Sequence, residues 1–432
     1  MDNQELNQRK KSVLKALLDH LQSPLYKNSL FLIIDSVVTA IIGFFFWILV
    51  ARFYSAVDVG YGSAAISAIS LLAMLSLMGF NFTIIRYLPK AENPLEMINS
   101  CLTLSGIISL ILAVVFLLGL DIWSPALHFI KGNIIFSFAF IIFTLVFTLA
   151  NILRFVFLAN RRADLVLSID TIQSLLKVPL AIFLVLFFHS FGIAAAWGIG
   201  VTLSLFLALF LFRSKCQNSY KPMPTLNLAI LNNLRHYSAG SYIASLFSTA
   251  STWIMPIMVV NVLGSEQNAY FYVTWTISIL LSAIPVSTSN SLFVEGSHFT
   301  ENLGVYILKA LKFTYILLIP AICLVFLLSN QILHLFGPSY SVNGSGLLKI
   351  MAISGVFVGL NAIYATALRI KNKVVELCLI YAIQAIVFLG GSYFVLPIAG
   401  IVGIGYIWMG EQAITSLYVA LNLGKKHLVN ID

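Results

Sequence analysis

Charge is scarce in this chain. Only 9% of its 432 residues are Asp, Glu, Lys or Arg, against 60% hydrophobic. The net charge of +9 suggests nucleic acid as a partner. That reading needs a basic face on a folded aqueous domain, and no segment is long enough to make one. Cysteine is scarce too: Cys101, Cys216, Cys323 and Cys378 stand far apart without CxxC or CxxH pairing, so they read as packing residues rather than metal ligands or disulfide partners. Enzyme signatures are missing as well. The chain has no GxxxxGK[ST] loop for nucleotide phosphates, no HExxH pair for a metal and no GxSxG elbow, and its seven histidines are scattered. These absences point away from catalysis, from a bound metal and from a cofactor. A cleaved signal peptide is disfavoured because more than 20 polar residues, with Arg9, Lys10, Lys11 and Lys15, precede the first apolar run.

What remains is long apolar runs. A bilayer core of about 30 Å needs roughly 20 apolar residues per helical span. By that measure spans fall at 28–51, 62–83, 97–119, 133–157, 164–188, 191–212, 236–260, 268–292, 305–329, 346–368, 374–396 and 398–423. Runs such as Ile107 to Leu118 and Ile135 to Leu149 are too long for the alternating strands of a membrane barrel. The expected fold is an all-α polytopic membrane protein of twelve transmembrane helices. An even number of spans puts both termini on one side. With that side inside, twenty-one of the 25 Lys and Arg fall on inner segments and three on outer ones, Arg52, Lys131 and Lys349; Lys177 lies within a span. This bias predicts cytoplasmic termini.

The domain plan has five parts. Residues 1–26 hold an amphipathic helix over 4–21 that reads as lying on the inner leaflet, a partner-binding helix being the alternative, with Leu14, Leu17 and Leu21 opposite the basic residues. A first bundle of six spans follows at 27–213, then a cytoplasmic linker at 214–234, a second bundle at 235–424 and a cytoplasmic tail at 425–432. The second half aligns with the first at a shift of 208 to 210 residues, which sets Arg52 to Tyr61 on Asn261 to Tyr270. Two parallel sixes around a central crevice are a transporter plan. Pro256 and Pro285 lie near the middle of their spans and are hinge candidates, a static kink being the alternative for each.

A charge near the bilayer centre costs roughly 2.5 to 3.5 kcal/mol, so such residues face a cavity or a partner. Span one holds Asp35. Span five holds Asp170, Gln173, Ser174 and Lys177, whose spacings of three, four and seven put them on one helical face. Two readings stay open: an internal ion pair of Asp170 or Asp35 with Lys177, or a stripe facing a hydrated crevice that meets an anionic or sugar-bearing substrate or a coupling ion. Arg52, Arg86 and Arg154 sit at or near span ends. Each either snorkels to the interface or joins Lys177 in a cationic lining, since Arg grips phosphate through paired hydrogen bonds. Asn361, Gln384, Glu411 and Gln412 form the second half's polar set and read as a packed hydrogen-bonding group, with a site as the alternative.

The stretch Ala51 to Gly62, followed by Leu71 to Gly79 and by Ile84-Ile-Arg-Tyr-Leu-Pro89, resembles the opening of Wzx-type polysaccharide-biosynthesis flippases, members of the MOP superfamily with the MATE drug exporters. The resemblance implies a MATE-like V-shaped transporter of two six-helix bundles in the cytoplasmic membrane, exporting a polyprenyl-(pyro)phosphate-linked oligosaccharide by alternating access. It also implies membrane lipids and glycan polymerases or glycosyltransferases as partners. Arg52 and Arg86 match the family pattern by position; Arg154 and Lys177 come from the residues alone. Drug exporters of the superfamily place a cation site between spans one and five, where Asp35 and Asp170 stand here, and the second reading is such a cation-coupled multidrug exporter.

Overall fold

The computed structural model describes residues 24–298, 303–371 and 373–424; the expected surface helix over 4–21 and the tail over 425–432 lie outside the described residues. Every regular element among the described residues is a helix. The first bundle contains α1 (Pro24–Phe53), α2 (Ala56–Ser76), α3 (Pro94–Leu118) and α4 (Ile134–Ala159), then a helix over Ala163–Leu211 that breaks at His189 (φ 40°) into α5 (163–188) and α6 (190–211). The second contains α7 (Leu228–Leu263), α8 (Ser265–His298), α9 (Leu303–Leu327) and α10 (Pro338–Ile370), followed by one 51-residue helix, Val374–Gly424. Straight, that last helix would be about 77 Å long, more than twice a bilayer core. It reverses at Gly400 (φ 60°, ψ −155°), a backbone conformation that glycine alone adopts without strain, and Gly391 then lies against Ile407. The break yields α11 (374–399) and α12 (401–424). Among the described residues eleven stretches are long and apolar enough to cross a membrane, and the last holds both α11 and α12, which makes twelve candidate spanning helices.

Local chemistry explains where the helices start and where the predicted spans shift. α2 begins at Ala56, six residues before the apolar run suggested, because Ser55 caps it: its Oγ accepts from the Asp58 amide at 3.1 Å and donates to the Asp58 carboxylate at 2.6 Å. It ends at Ser76 because Met78 (φ 46°) and Gly79 (φ 80°) turn the chain into a separate short helix, Phe80–Tyr87. Asn133 caps α4 by accepting from the Ile135 amide at 2.9 Å. A third of the expected linker, residues 228–234, belongs to α7, which starts at Leu228. The rest lies along the first bundle: Asn99 Nδ2 donates to the Lys221 carbonyl, Thr103 Oγ1 accepts from the Thr225 amide, and Asn227 Nδ2 donates to Glu96 at 2.9 Å.

The two bundles meet through α2, which packs on both α7 and α8. Lipid gives little hydrophobic drive for such contact, so small residues and hydrogen bonds must supply it. Gly60, Ser63, Ala64, Ser67 and Ala68 form a buried small-residue stripe on α2. At Gly60 a Cβ would stand 1.7 Å from the Ser265 carbonyl oxygen, so no other residue fits there. Asn268, fully buried on α8, donates to the Gly60 carbonyl at 2.7 Å and to Ser63 Oγ at 3.2 Å. Asn268 falls beside Ala269, the residue that the alignment of Arg52 to Tyr61 on Asn261 to Tyr270 sets on Gly60. At the same end Asn261 accepts from the Ala126 amide and donates to the Trp123 carbonyl, both at 3.1 Å. Trp47 packs on Tyr272, ring centres 4.8 Å apart and planes tilted by 58°, and one apolar cluster, including Val59, Ile193, Met255 and Tyr270, runs through both bundles. The end expected to be outer is therefore sealed across the halves.

Candidate functional site

Inside the first bundle four helices turn polar faces toward one another. α1 contributes Asp35 and Thr39, four residues apart; α4 contributes Asn151 and Arg154, three apart; α5 contributes Asp170, Gln173 and Ser174; α6 contributes Ser204. Together with Phe147, Phe157 and Ile169 they line a cavity of about 290 Å³. Arg154 stands between the two carboxylates. Its Nη2 donates to Asp35 Oδ2 at 2.9 Å, and its Nη1 meets Asp170 Oδ2. Asp35 is 2% exposed, and its second oxygen, Oδ1, is buried without a hydrogen-bond partner. Two carboxylates and one guanidinium leave the lining one unit negative. All its residues belong to the first bundle, so the cavity lies within that bundle rather than between the halves.

The structure brings Asp35, Arg154, Asp170 and Gln173 together and places the other predicted residues elsewhere. The internal ion pair exists, but its cation is Arg154 rather than Lys177. Lys177 lies one turn beyond the cavity lining, with Nζ 5.0 Å from the centre of the Phe46 ring. No ion pair joins it to a carboxylate among the described residues. Arg52 is at the sealed end, where Nε and Nη2 donate to the Leu335 and His334 carbonyls at 2.9 and 3.0 Å; it bridges the halves by capping the short helix Ser329–His334. Arg86 is exposed at the opposite end, on the last turn of Phe80–Tyr87 and 5.6 Å from the Tyr87 ring centre. At Pro256 and Pro285 the helices run on without a break; the backbone turns instead at His189 and Gly400.

The sequence profile described as Polysaccharide biosynthesis protein matches residues 25–293, more than half of the chain. The chain belongs to the polysaccharide biosynthesis protein family. Over 174 residues it is 24% identical to a candidate O-antigen transporter of Shigella flexneri, a match covering 37% of this chain and 41% of that protein. The chain thus aligns with well under two thirds of that relative's length. Among solved structures it is similar to lipid II flippase MurJ in an inward closed conformation, with a TM-score of 0.76 and 15% identity over 91% of this chain and 87% of that one. It is also similar to an inward-facing MATE multidrug transporter of the MOP superfamily, with a TM-score of 0.69 and 16% identity over 90% and 95%. The fold is the two-bundle fold of those solved transporters.

Asn151 and Ser204 were not among the predicted site residues of this family member. Asn151 is three residues before Arg154 and shares its face, so helical spacing held the signal; Ser204 offered none beyond its polarity. Asn261 and Asn268, which tie the halves, lay in the aligned repeat but read only as part of a turn. The second half's polar set packs as expected. Asn361 Nδ2 donates to Gln412 Oε1 at 2.7 Å, Gln412 Nε2 donates to Glu411 at 3.1 Å, Ser416 donates to Asn361 at 3.0 Å and Gln384 donates to Thr415 at 3.2 Å, which joins α10, α11 and α12.

Proposed function

We propose that this transporter moves a polyprenyl-phosphate- or pyrophosphate-linked oligosaccharide from the inner to the outer leaflet of the cytoplasmic membrane for polysaccharide or glycan assembly. The observation that carries the reading is the family match, which runs through the whole first bundle and into α8. The similarity to a lipid II flippase and to a candidate O-antigen transporter supports a lipid-linked glycan as cargo. Both termini are cytoplasmic in this reading, as the charge bias requires. The sealed outer end then supports an inward-facing state, with transport by alternating access of residues 27–213 against residues 235–424 and Pro256 and Pro285 as hinges. Lys177 and Arg86 attract the phosphate: no ion pair joins Lys177 to a carboxylate among the described residues, and Arg86 is exposed at the end opposite the seal, whereas Arg52 and Arg154 are engaged within the fold. Glycan polymerases or glycosyltransferases are the partners such a cargo implies.

Lys177→Ala and Arg86→Ala should stop delivery of lipid-linked glycan to the outer face at unchanged protein level. Normal delivery in both variants would overturn the role of these cations. The net negative cavity favours a second reading, a cation-coupled multidrug exporter. That reading requires ion-driven efflux of a cationic dye from proteoliposomes and its loss in Asp35→Asn; without such efflux it fails.

A further inference from the structure

The cavity of the first bundle has a property that does not depend on the cargo. Apart from the guanidinium, its polar lining consists of two carboxylates, the Asn151 and Gln173 side-chain amides, and the hydroxyls of Ser36, Thr39, Ser174 and Ser204. An oxygen-rich set of this kind suits a hard cation, and two unpaired carboxylates within the bundle, one of them only 2% exposed, would demand one. Arg154 meets that demand. It comes from α4, a third helix, and reaches between Asp35 on α1 and Asp170 on α5. A guanidinium cannot give up its charge in a protein, and its planar fork serves two carboxylates at once. It does not reach every acceptor: Asp35 Oδ1, on a side chain only 2% exposed, is left without a hydrogen bond. The site is therefore filled by a cation but not saturated by it.

We propose that Arg154 is a resident cation, supplied by the chain itself, in a site that would otherwise take a free monovalent cation such as Na+. The native protein then binds no Na+ between α1, α4 and α5, and the cavity keeps the same charge through the transport cycle. Removing the guanidinium opens the site.

The test uses the purified full-length protein and follows its thermal unfolding midpoint as Na+ replaces choline at constant ionic strength. The native protein should show no Na+-specific shift. Arg154→Ala should unfold earlier and gain a saturable rise in midpoint with Na+. Guanidinium chloride at low millimolar concentration should produce the same rise by standing in for the lost group, and the double variant Asp35→Asn/Arg154→Ala should respond to neither ion. A Na+-specific shift in the native protein that vanishes in Asp35→Asn would overturn the proposal, as would an Arg154→Ala protein indifferent to both ions. If Arg154→Ala does not accumulate, Arg154→Gln carries the same expectations and the same refutation, with Arg154→Lys as the variant that stays insensitive. None of these readouts involves glycan, so a wrong cargo would leave the result intact.

Discussion

Asn268→Ala tests whether the polar contacts between α2 and α8 hold the two bundles shut at the end where they meet. The Asn268 amide is fully buried and makes two bonds, to the Gly60 carbonyl at 2.7 Å and to Ser63 Oγ at 3.2 Å, and both cross from one bundle to the other. A buried hydrogen bond contributes about 0.5–1.5 kcal/mol net, so the pair contributes about 2 kcal/mol. Ser63 also donates to the Gly60 carbonyl at 3.0 Å, so truncation leaves that oxygen with a partner and adds little further cost. Each bundle keeps its internal packing, and the loss therefore falls on the sealed arrangement alone. Two kcal/mol is roughly a 30-fold shift toward states in which the halves part at this end. Ser67, fully buried one turn further along the same α2 face, is the reporter position. With the four native cysteines replaced, Ser67→Cys should react with a membrane-impermeant thiol reagent about ten- to thirty-fold faster in the Asn268→Ala background. A rate within about twofold of the parent would refute the assignment of the seal to this contact.

Gly400→Ala should lower stability by about 1–3 kcal/mol, seen as an earlier thermal unfolding midpoint, because its backbone conformation excludes a Cβ; an unchanged midpoint would mean that the α11–α12 reversal tolerates another geometry. Asp35→Ala should cost about 1–3 kcal/mol, less than a fully buried ion pair would, since the Arg154 side chain is 36% exposed and keeps Asp170; Ser36→Ala, beside it on α1, serves as the neutral control. Lys131 above all, and then His128, hydrogen-bond Asp121 in the turn between α3 and α4 and hold its carboxyl below the ordinary range. A lowered folded pKa contributes stability above the unfolded value near 3.9 that is lost as pH falls through the folded value. Amide exchange across 119–133 should therefore accelerate only in acid below about pH 4, whereas Asp121→Asn should exchange faster at neutral pH; equal exchange in both proteins at neutral pH would contradict it.

The number of spans and their pairing into halves were legible because both rest on runs about 20 residues long, which no local detail disguises. The start of α2 was hidden because hydropathy does not register a cap: Ser55 and Asp58 belong to the helix end but look like loop residues. The polar face of α5 was legible from its spacing, yet its partner was not. Arg154 lies 16 residues before Asp170 and 119 after Asp35, and only packing of α1, α4 and α5 reveals that one guanidinium serves both. Lys177 looked equally suited to that role. It sits one turn too far along α5, where the Phe46 ring is its neighbour. Arg52 read as a lining residue because its position near a span end does not say which surface it faces. In the folded chain it reaches the carbonyl end of a helix in the other half.

Gly60 and Asn268 touch across the halves without being counterparts: where Arg52 to Tyr61 falls on Asn261 to Tyr270, Gly60 falls on Ala269 and Asn268 on Val59. Two identical six-helix chains paired about a two-fold axis would have to make every such contact twice. Here the bond is made once, because Val59 has no amide to return to the second half. Covalent joining lifts the restriction: one half supplies a bare backbone carbonyl, the other the amide that reaches it. The lock between the halves depends on an inequality that a symmetric dimer of either half is forbidden to have.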